Sequence, residues 1–335
     1  MNNFDDMFTE IYLGDYPLHW LIYKKKNKKL LKFLHGINKI DINYKTKQYG
    51  FVPLHYALTN KVNNFALNEL LKYGADINIK SNNGYTPIHQ YFLTNNVNYH
   101  IVKKMLKYGA NINTKLDDGT TPLHTYLEND NVNINIIKLM IHFKVDIKAI
   151  NSYHQNALHV YTACGGYNND IINLLLENGI KCYFRDGIGY LPLDYMFSMG
   201  NINIKLFNLL IKNVNIHTVN QFGDTLLHQY INNVDEDDDN NLNMLNLLLK
   251  LGIFINSKNI YGNTALHYAC INDKYNTIKI LLKNGADINI KNNKNENPLY
   301  FYATKTNTDT KIIKLLLDNG SLFDKNDLPN MYINK

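Results

Sequence analysis

Apolar and polar positions along this chain alternate between two kinds of segment. The stretch YTPIHQYF, residues 85–92, concentrates proline, aliphatic and aromatic residues in one short run, and the polar loop TNNVNYH follows at 94–100. The next segment carries apolar residues at the spacing of one helical face: Ile101, Val102, Met105 and Leu106. We therefore expect a short first helix that runs through Phe92 and an amphipathic second helix after the loop.

Residues at the ends of these segments are the types that start and stop helices. Thr86 is an N-cap type of residue, and Pro87 follows at the first helical position, where its missing N–H costs nothing. Gly109 stands where a glycine in the left-handed conformation ends a helix. Gly119 supplies a tight bend at the end of ANINTKLDDG, before the next short segment. The pattern predicts helix, loop, helix and projecting turn, in that order.

The same block recurs along the chain. The residue before the aliphatic position marks each copy: Pro17, Pro53, Pro87, Pro122, Ala157, Pro192, Leu226, Ala265 and Pro298. Successive markers are 36, 34, 35, 35, 35, 34, 39 and 33 residues apart. A nearly constant period in this range is typical of a solenoid, in which each copy buries its apolar face on its neighbours.

This order of helix, short loop, helix and projecting turn resembles the ankyrin repeat, which also has Thr-Pro-Leu-His at its first helix. The stretch NTALHYACINDKYNTIKILLKNGADINIKN, residues 263–292, is close to the family pattern at almost every position. The resemblance extends over residues of about 14 to 324. It implies an all-α ankyrin-repeat solenoid of about nine helix-loop-helix units with projecting turns. We expect this array to occupy residues 1–324, with terminal units as caps, and a C-terminal tail to occupy 325–335.

Tyrosine occupies a position, two residues after the motif histidine, where the general ankyrin pattern has alanine. The residues are Tyr91, Tyr126, Tyr161, Tyr230 and Tyr302. This variant resembles the ankyrin-repeat proteins of poxviruses, which are host-range and immune-evasion factors. The resemblance implies a non-enzymatic adaptor or decoy that captures a host protein on the concave face of the array. The alternative it leaves open is the substrate-receptor part of a longer ubiquitin-ligase adaptor, whose F-box-like C-terminal domain is expected outside this sequence.

Three copies depart from the pattern. Asp194 and Tyr300 replace the motif histidine, and Lys144 stands where a helix-ending glycine is expected. A residue other than glycine costs about 1 kcal/mol in the left-handed conformation. The unit at 189–221 lacks both the histidine and the glycine, so we expect it to be the least stable inside the array.

Seven of the twelve histidines occupy the motif position: His19, His55, His89, His124, His159, His228 and His267. Each belongs to a separate unit, and neighbouring helices lie about 10 Å apart, whereas the ligands of one zinc ion lie about 2 Å from it. We interpret these histidines as structural hydrogen-bonding groups. Since the spacing also reveals no phosphate loop and no nucleophile–histidine pair, we expect no catalytic activity, no cofactor and no metal site.

Composition narrows the class of partner. The net charge is +6, and Arg185 is the only arginine, which argues against a nucleic-acid binder that relies on bidentate arginine contacts. We attribute the abundance of lysine, asparagine, isoleucine and tyrosine to genome composition. The chain has three cysteines without a CxxC pair, no secretory signal and only short apolar runs. These features indicate a cytoplasmic protein, which would lie in the host-cell cytoplasm if the chain is viral. We expect a monomer that binds a protein, although a scaffold for an absent catalytic domain would have the same sequence.

An acidic run, DEDDD at 235–239, accounts for the one long gap between markers. It falls between the two helices of its unit. We interpret it as a solvated loop, with an acidic contact for a basic partner as the alternative.

Partner-binding residues are expected on the face formed by the first helices and the turn tips. In ankyrin arrays the position just after the motif histidine faces this groove, and tyrosine and tryptophan are common interface anchors. The candidates are Trp20, Tyr56, Gln90, Thr125, Tyr195, Gln229, Tyr268 and Phe301 on the first helices, with Tyr85, Asp118, Phe222 and Tyr261 at the turn tips. The alternative is that these side chains merely pack against their own turn.

Overall fold

Eighteen α-helices, arranged as nine consecutive pairs, form the regular structure of the residues that the computed structural model describes. Those residues are 16–36, 41–59, 62–198, 203–212, 214–234, 239–305 and 308–322. Within them there are two isolated antiparallel bridges and no β-strand. No helix in these ranges combines the length and apolar character needed to cross a membrane. The expected all-α fold is confirmed, while the N-terminal residues 1–15 and the proposed tail at 325–335 lie outside the described residues.

Each pair has a short first helix at the repeat marker and a second helix after a loop. The first helices are α1 (Pro17–Tyr23), α3 (Pro53–Ala57), α5 (Pro87–Phe92), α7 (Pro122–Leu127), α9 (Ala157–Ala163), α11 (Pro192–Ser198), α13 (Leu226–Asn233), α15 (Ala265–Ile271) and α17 (Pro298–Ala303). The second helices are α2 (Asn27–Gly36), α4 (Asn64–Lys72), α6 (Tyr99–Lys107), α8 (Ile134–His142), α10 (Asn169–Glu177), α12 (Ile204–Ile211), α14 (Asp239–Lys250), α16 (Tyr275–Lys283) and α18 (Thr310–Asp318).

The third pair confirms the local signals of the sequence. Thr86 is the N-cap of α5 and Pro87 its first residue. The four apolar residues predicted on one face of the second helix are all buried: Ile101, Val102, Met105 and Leu106. Gly109 ends α6 with φ +87° and Gly119 forms the following bend with φ +76°, both in the left-handed region that favours glycine.

Lys144 replaces the helix-ending glycine after α8 and still adopts the left-handed conformation, with φ +62°. The strain expected from the sequence is therefore present. The Lys144 carbonyl receives a hydrogen bond from Asn113 Nδ2 at 3.0 Å, which ties this helix end to the preceding pair as at the glycine ends. The corresponding residue after α12, Asn213, lies outside the described residues.

Contacts divide the chain into two compact units near residues 166–181. Unit 1 comprises 1–166 and 170–180, and unit 2 comprises 167–169 and 181–335. In unit 1 the first helices pack one on the next from α1 through α9, and in unit 2 they do so from α11 through α17. Second helices also contact one another within a unit: α2 with α4 and α6 with α8 in unit 1, and α14 with α16 and α16 with α18 in unit 2.

Tyrosine at the position that is usually alanine braces the second helix of its own pair. Tyr91, Tyr126 and Tyr302 have almost no solvent exposure. Their hydroxyl oxygens accept the backbone N–H of Asn98, Asn133 and Asp309, each at 2.7 Å. Those three residues are the N-caps of α6, α8 and α18. The tyrosine therefore satisfies one backbone donor at the entry to the second helix.

Candidate functional site

The motif histidines link one helix pair to the next. His124 Nε2 lies 3.2 Å from the carbonyl oxygen of Gln155, in the following pair, and its Nδ1 lies 3.3 Å from the Thr121 backbone nitrogen. Because a carbonyl can only accept, Nε2 donates and Nδ1 accepts. The same Nε2 contact joins His19 to Phe51, His55 to Tyr85, His228 to Asn263 and His267 to Glu296, at 3.0–3.1 Å. The structural hydrogen-bonding role expected of the motif histidines is confirmed for these five, whereas the buried Nε2 of His89 has no hydrogen-bond partner among the described residues.

Burial keeps these imidazoles neutral. Loss of solvation lowers the pKa of His19, His55, His89, His124 and His267 to about 4. A neutral ring with both nitrogens engaged, as in His124, has no free lone pair for a substrate or an ion. Across the described ranges no three histidine, cysteine, aspartate or glutamate side chains form a cluster that could hold a metal ion.

Asp194 takes the histidine position in α11 and changes the chemistry there. It is buried, and its Oδ2 accepts the Leu191 backbone N–H at 2.7 Å, as the Nδ1 of a motif histidine would. Its Oδ1 has no hydrogen-bond partner among the described residues. Burial raises the pKa of this carboxyl to about 7, against the smaller opposing effects of the Leu191 N–H, the Arg185 charge and the Gln229 side chain. An ionised aspartate cannot donate the hydrogen bond to a carbonyl that histidine donates in the other pairs.

An asparagine or aspartate side chain fixes five of the projecting turns among the described residues. Asn259 Oδ1 accepts the backbone N–H groups of Tyr261 and Asn263, both at 3.0 Å. Equivalent pairs of bonds form at Asn151, Asp186, Asn220 and Asn292. The turn tips therefore have a defined backbone conformation before any partner arrives.

Neighbouring turn tips are joined by backbone hydrogen bonds. In unit 2 the Ile260 N–H donates to the Phe222 carbonyl at 3.0 Å, and the Asn293 N–H donates to the Tyr261 carbonyl at 3.0 Å. Gly223 permits this approach, since a Cβ there would lie 2.9 Å from the Ile260 nitrogen and its φ is +72°. In unit 1 the same kind of bond joins Ser152 to Asp118 at 2.7 Å.

Four first-helix candidates are buried, contrary to the expectation that this position faces solvent. They are Tyr56, Gln90, Thr125 and Gln229. Tyr56 is only 1% exposed because its ring packs edge-on against His19 at 5.1 Å and Phe51 at 6.2 Å. The prediction that Tyr56 stands at the surface is therefore wrong, and these four side chains offer a partner almost no area.

The other four first-helix candidates are half-buried: Trp20, Tyr195, Tyr268 and Phe301. The Tyr195 hydroxyl donates to Asp186 Oδ2 at 2.5 Å, and Asn259 Nδ2 donates to the Tyr268 hydroxyl at 3.0 Å. Asp186 and Asn259 are the residues that fix the turns. Each tyrosine ring thus lies in the corner between its first helix and its turn, with one side accessible.

The turn-tip candidates retain solvent exposure: Asp118 is exposed and Tyr85 is half-buried. Phe222 is 36% exposed and Tyr261 54% exposed. The structure adds two residues that the sequence reasoning missed, Ile188 at 43% and Ile260 at 54%. Ile188, Phe222 and Tyr261 each directly precede a turn glycine, which is the signal that could have identified Ile188. We call Ile188, Phe222, Ile260 and Tyr261 the tip row.

The acidic run cannot be placed on this face. Asp235 to Asp238 lie outside the described residues, and Asp239 is described only as the first residue of the α14 backbone. Its role as a solvated loop or as a contact for a basic partner stays a prediction.

Comparison with known proteins agrees with the geometry. The family model for ankyrin repeats matches three times, at residues 18–97, 91–186 and 195–292, which is most of the chain. An ankyrin repeat protein of fowlpox virus (strain NVSL) is 39% identical over 82 residues, 24% of this chain and 12% of the relative. One of Acanthamoeba polyphaga mimivirus is 34% identical over 137 residues, 41% of this chain and 17% of the relative.

A bacterial relative shows that the likeness is not confined to viruses. An ankyrin repeat protein of Rickettsia bellii (strain RML369-C) is 38% identical over 74 residues, 21% of this chain and 44% of the relative. The matched stretches span less than a fifth of the two viral relatives' own length. The repeated helix pairs, the histidine links between them and the family match together place this chain in the ankyrin-repeat family.

Proposed function

We propose that the chain is a non-enzymatic adaptor or decoy that captures a host protein, encoded by a large virus and acting in the host-cell cytoplasm. Ankyrin repeats are protein-interaction modules, and viral ankyrin repeat proteins are among the relatives. The partner docks on the face formed by the turn tips and first helices. Trp20, Tyr85 and Asp118 offer such a face in unit 1, whereas unit 2 offers the more apolar one.

The tip row is the observation that supports this proposal most strongly. Four apolar side chains, each between 36% and 54% exposed, occupy consecutive turn tips of unit 2. Exposed apolar side chains that are contiguous mark interaction sites, and these project from turns already held by backbone hydrogen bonds. Because little conformational entropy is lost when rigid turns bind, the tip row is a favourable docking surface.

The half-buried tyrosines extend this surface toward the first helices. A stable complex buries about 800 Å² on each partner, which is more than turn tips alone supply. Tyr195 and Tyr268 lie in the corners beside the turns of the same unit, with their hydroxyl groups already bound. We expect them to form the central anchors, with the tip row around them.

A capture experiment tests the proposal. The tagged full chain, its Phe222→Ala/Tyr261→Ala variant and a control variant are incubated with host-cell lysate, and retained proteins are identified by mass spectrometry. The control is Tyr108→Ala, because Tyr108 is 55% exposed but follows α6 in unit 1, away from the turns. We expect one protein to be captured by the wild type and the control, and its affinity for the tip variant to fall at least about thirtyfold. Equal capture by all three chains would remove the tip row as the docking surface.

A further inference from the structure

A groove of about 540 Å³ lies between the second helices α6 and α8 of unit 1, outside the face discussed above. Its floor includes the buried Leu139. Its basic and aromatic lining residues are Tyr99, Lys103 and Lys107 from α6 and Lys138, His142 and Phe143 from α8 and its C-cap. We call this feature the cationic groove.

Helical spacing aligns the cations along the two walls. Tyr99, Lys103 and Lys107 follow each other at intervals of four residues and so lie on one face of α6. Lys138 and His142 have the same spacing on α8. At 1.5 Å per residue the row on α6 is about 12 Å long and the row on α8 about 6 Å long. The arrangement offers a linear ligand several positive charges in a row.

No carboxylate balances these cations inside the groove. None of the residues that line it is an aspartate or glutamate, and none of its three lysines takes part in an ion pair among the described residues. Of the neighbouring second helices described within either unit, only α6 and α8 both lack acidic residues. The others include an acidic residue in at least one partner: Glu69 in α4, Asp170 and Glu177 in α10, Asp239 in α14 and Asp318 in α18.

We propose that the cationic groove binds a compact anion with two or more linked phosphate groups. Lysine binds phosphate as a point charge, and several lysines in line match the charge spacing of a linked phosphate chain. The volume lies within the range of small-molecule sites. Tyr99, the first residue of α6, and Phe143, the C-cap of α8, both line the groove, and either ring offers a stacking surface for a planar group attached to the phosphates. Lys103 Nζ lies 5.7 Å from the centroid of the Tyr99 ring.

The chain contains a natural comparison in unit 2. Tyr275, Lys279 and Lys283 on α16 repeat the positions of Tyr99, Lys103 and Lys107 on α6. The neighbouring α18 has Lys314 at the position of Lys138, but Asp318 at the position of His142. The unit 2 pair also has Asp309, Lys311 and Asn319 where Asn133, Asn135 and Phe143 line the cationic groove, so it combines the same lysine row with two carboxylates and lacks the aromatic C-cap residue.

Calorimetric titration of the full chain with inorganic triphosphate, at about 0.15 M salt, tests the proposal. We expect binding at one site, and a loss of at least about tenfold in affinity in Lys103→Gln/Lys107→Gln. His142→Asp, which copies the charge pattern of α18, has the same expected loss. The matched control Lys279→Gln/Lys283→Gln removes the same net charge and leaves affinity unchanged. Circular dichroism confirms that each variant is folded, and Lys138→Gln replaces any that is not.

Three results would overturn the proposal. They are the absence of triphosphate binding, an equal loss of affinity in the control variant, and a single-stranded RNA that binds more tightly than triphosphate and depends on the same lysines.

Titration with adenosine triphosphate then distinguishes two sources of the phosphate chain, a nucleotide and a free polyphosphate. If a nucleotide is the ligand, Tyr99→Leu weakens its binding and leaves that of inorganic triphosphate unchanged. If a free polyphosphate is the ligand, the two probes bind alike and Tyr99→Leu alters neither.

Discussion

His124 Nε2 and the carbonyl oxygen of Gln155 lie 3.2 Å apart, and they belong to successive helix pairs. The other nitrogen of the same ring lies 2.8 Å from Thr121 Oγ1, at the start of its own first helix. One side chain thus closes a helix N-terminus and links it to the next pair. This dual contact accounts for the recurrence of Thr-Pro-Leu-His better than any catalytic role.

Replacing His124 by alanine should destabilise unit 1. The change removes the ring that accepts the buried Thr121 N–H, and an unsatisfied buried polar group costs about 1–3 kcal/mol. The Gln155 carbonyl loses its bond to the preceding pair but still accepts the Asn151 N–H at 3.0 Å. Urea unfolding followed by circular dichroism measures the loss. His100→Ala is the control, because His100 is exposed and only its backbone takes part in a described hydrogen bond. A stability equal to that of the wild type would show that the ring contacts contribute nothing.

Asp194 should make the stability of unit 2 fall as pH rises. Its pKa is about 7 in the folded chain against an ordinary value of 3.8, so folding favours the protonated form. The stabilisation is complete below about pH 4 and is lost as pH rises through 7, because the charged form is then buried. Asp194→Asn removes this titration. We expect the free energy of unfolding of wild-type unit 2, minus that of this variant, to be lower at pH 8 than at pH 5.

The motif histidines have the opposite effect, because their contribution to stability rises with pH. This contribution must be separated from that of Asp194. Their folded pKa of about 4 lies below the ordinary 6.5, so they stabilise the fold above pH 6.5 and lose this contribution as pH falls toward 4. Both chains in the comparison carry the same histidines. The difference between wild type and Asp194→Asn across pH therefore reports the aspartate alone, and a difference that stays constant from pH 5 to 8 would contradict its assignment.

Tyr126→Phe should cost about 1 kcal/mol by removing the hydroxyl that accepts the Asn133 N–H at 2.7 Å. The ring still fills its place, so the change isolates the hydrogen bond. Thermal unfolding compared with Tyr108→Phe, an exposed tyrosine, provides the measurement. If both variants melt alike, the hydroxyl does not brace the second helix.

Lys144→Gly should stabilise unit 1 by up to about 1 kcal/mol, since the glycine relieves a φ of +62°. The carbonyl that accepts Asn113 Nδ2 is retained in the variant. Gly109→Ala makes the reverse change at the equivalent helix end, where φ is +87°, and should destabilise. Chemical denaturation of the two variants should move the midpoints in opposite directions; shifts in the same direction would mean that the left-handed conformation is not their cause.

The unit at 189–221 should exchange its amide hydrogens before its neighbours. α11 has a buried carboxyl in place of the motif histidine, and stability in a repeat array depends on the contacts of each repeat with its neighbours. Hydrogen exchange read by mass spectrometry on peptides from α11 and from α13 measures the difference. Uniform protection across both would mean that Asp194 is as good a link as histidine.

Two nearly identical sequence contexts differ in burial. Tyr56 in PLHYA and Tyr268 in ALHYA occupy the same position of the motif, yet Tyr56 is buried and Tyr268 half-buried. Tyr56 packs against Phe51 as well as against the histidine of the preceding pair, whereas Tyr268 reaches the turn and binds Asn259. The solvent exposure of a side chain depends on which residues of the neighbouring helix pairs pack against it. The motif sequence of a single pair does not contain that information.

Asparagine illustrates the same limit. Its abundance, attributed above to genome composition, also has defined structural roles. Asn78 Nδ2 donates to the Gly109 carbonyl at 2.9 Å and its Oδ1 accepts the Asn111 N–H at 2.7 Å, which ties one pair to the next. Asn113, Asn256 and Asn289 make the same two bonds. The equivalent positions hold Lys148, Tyr183 and His217 in the middle of the chain, so this asparagine link is missing there.

The sequence by itself determined the period, the helix ends and the buried faces of the helices. These follow from local causes, such as the fixed φ of Pro87, the conformational freedom of Gly109 and the apolar spacing in α6. The tertiary structure alone decided which tyrosines remain accessible, which turn tips form a row and where lysines face each other without a carboxylate. Those properties arise between residues about 30 positions apart, on different helix pairs, and packing rather than local propensity sets them.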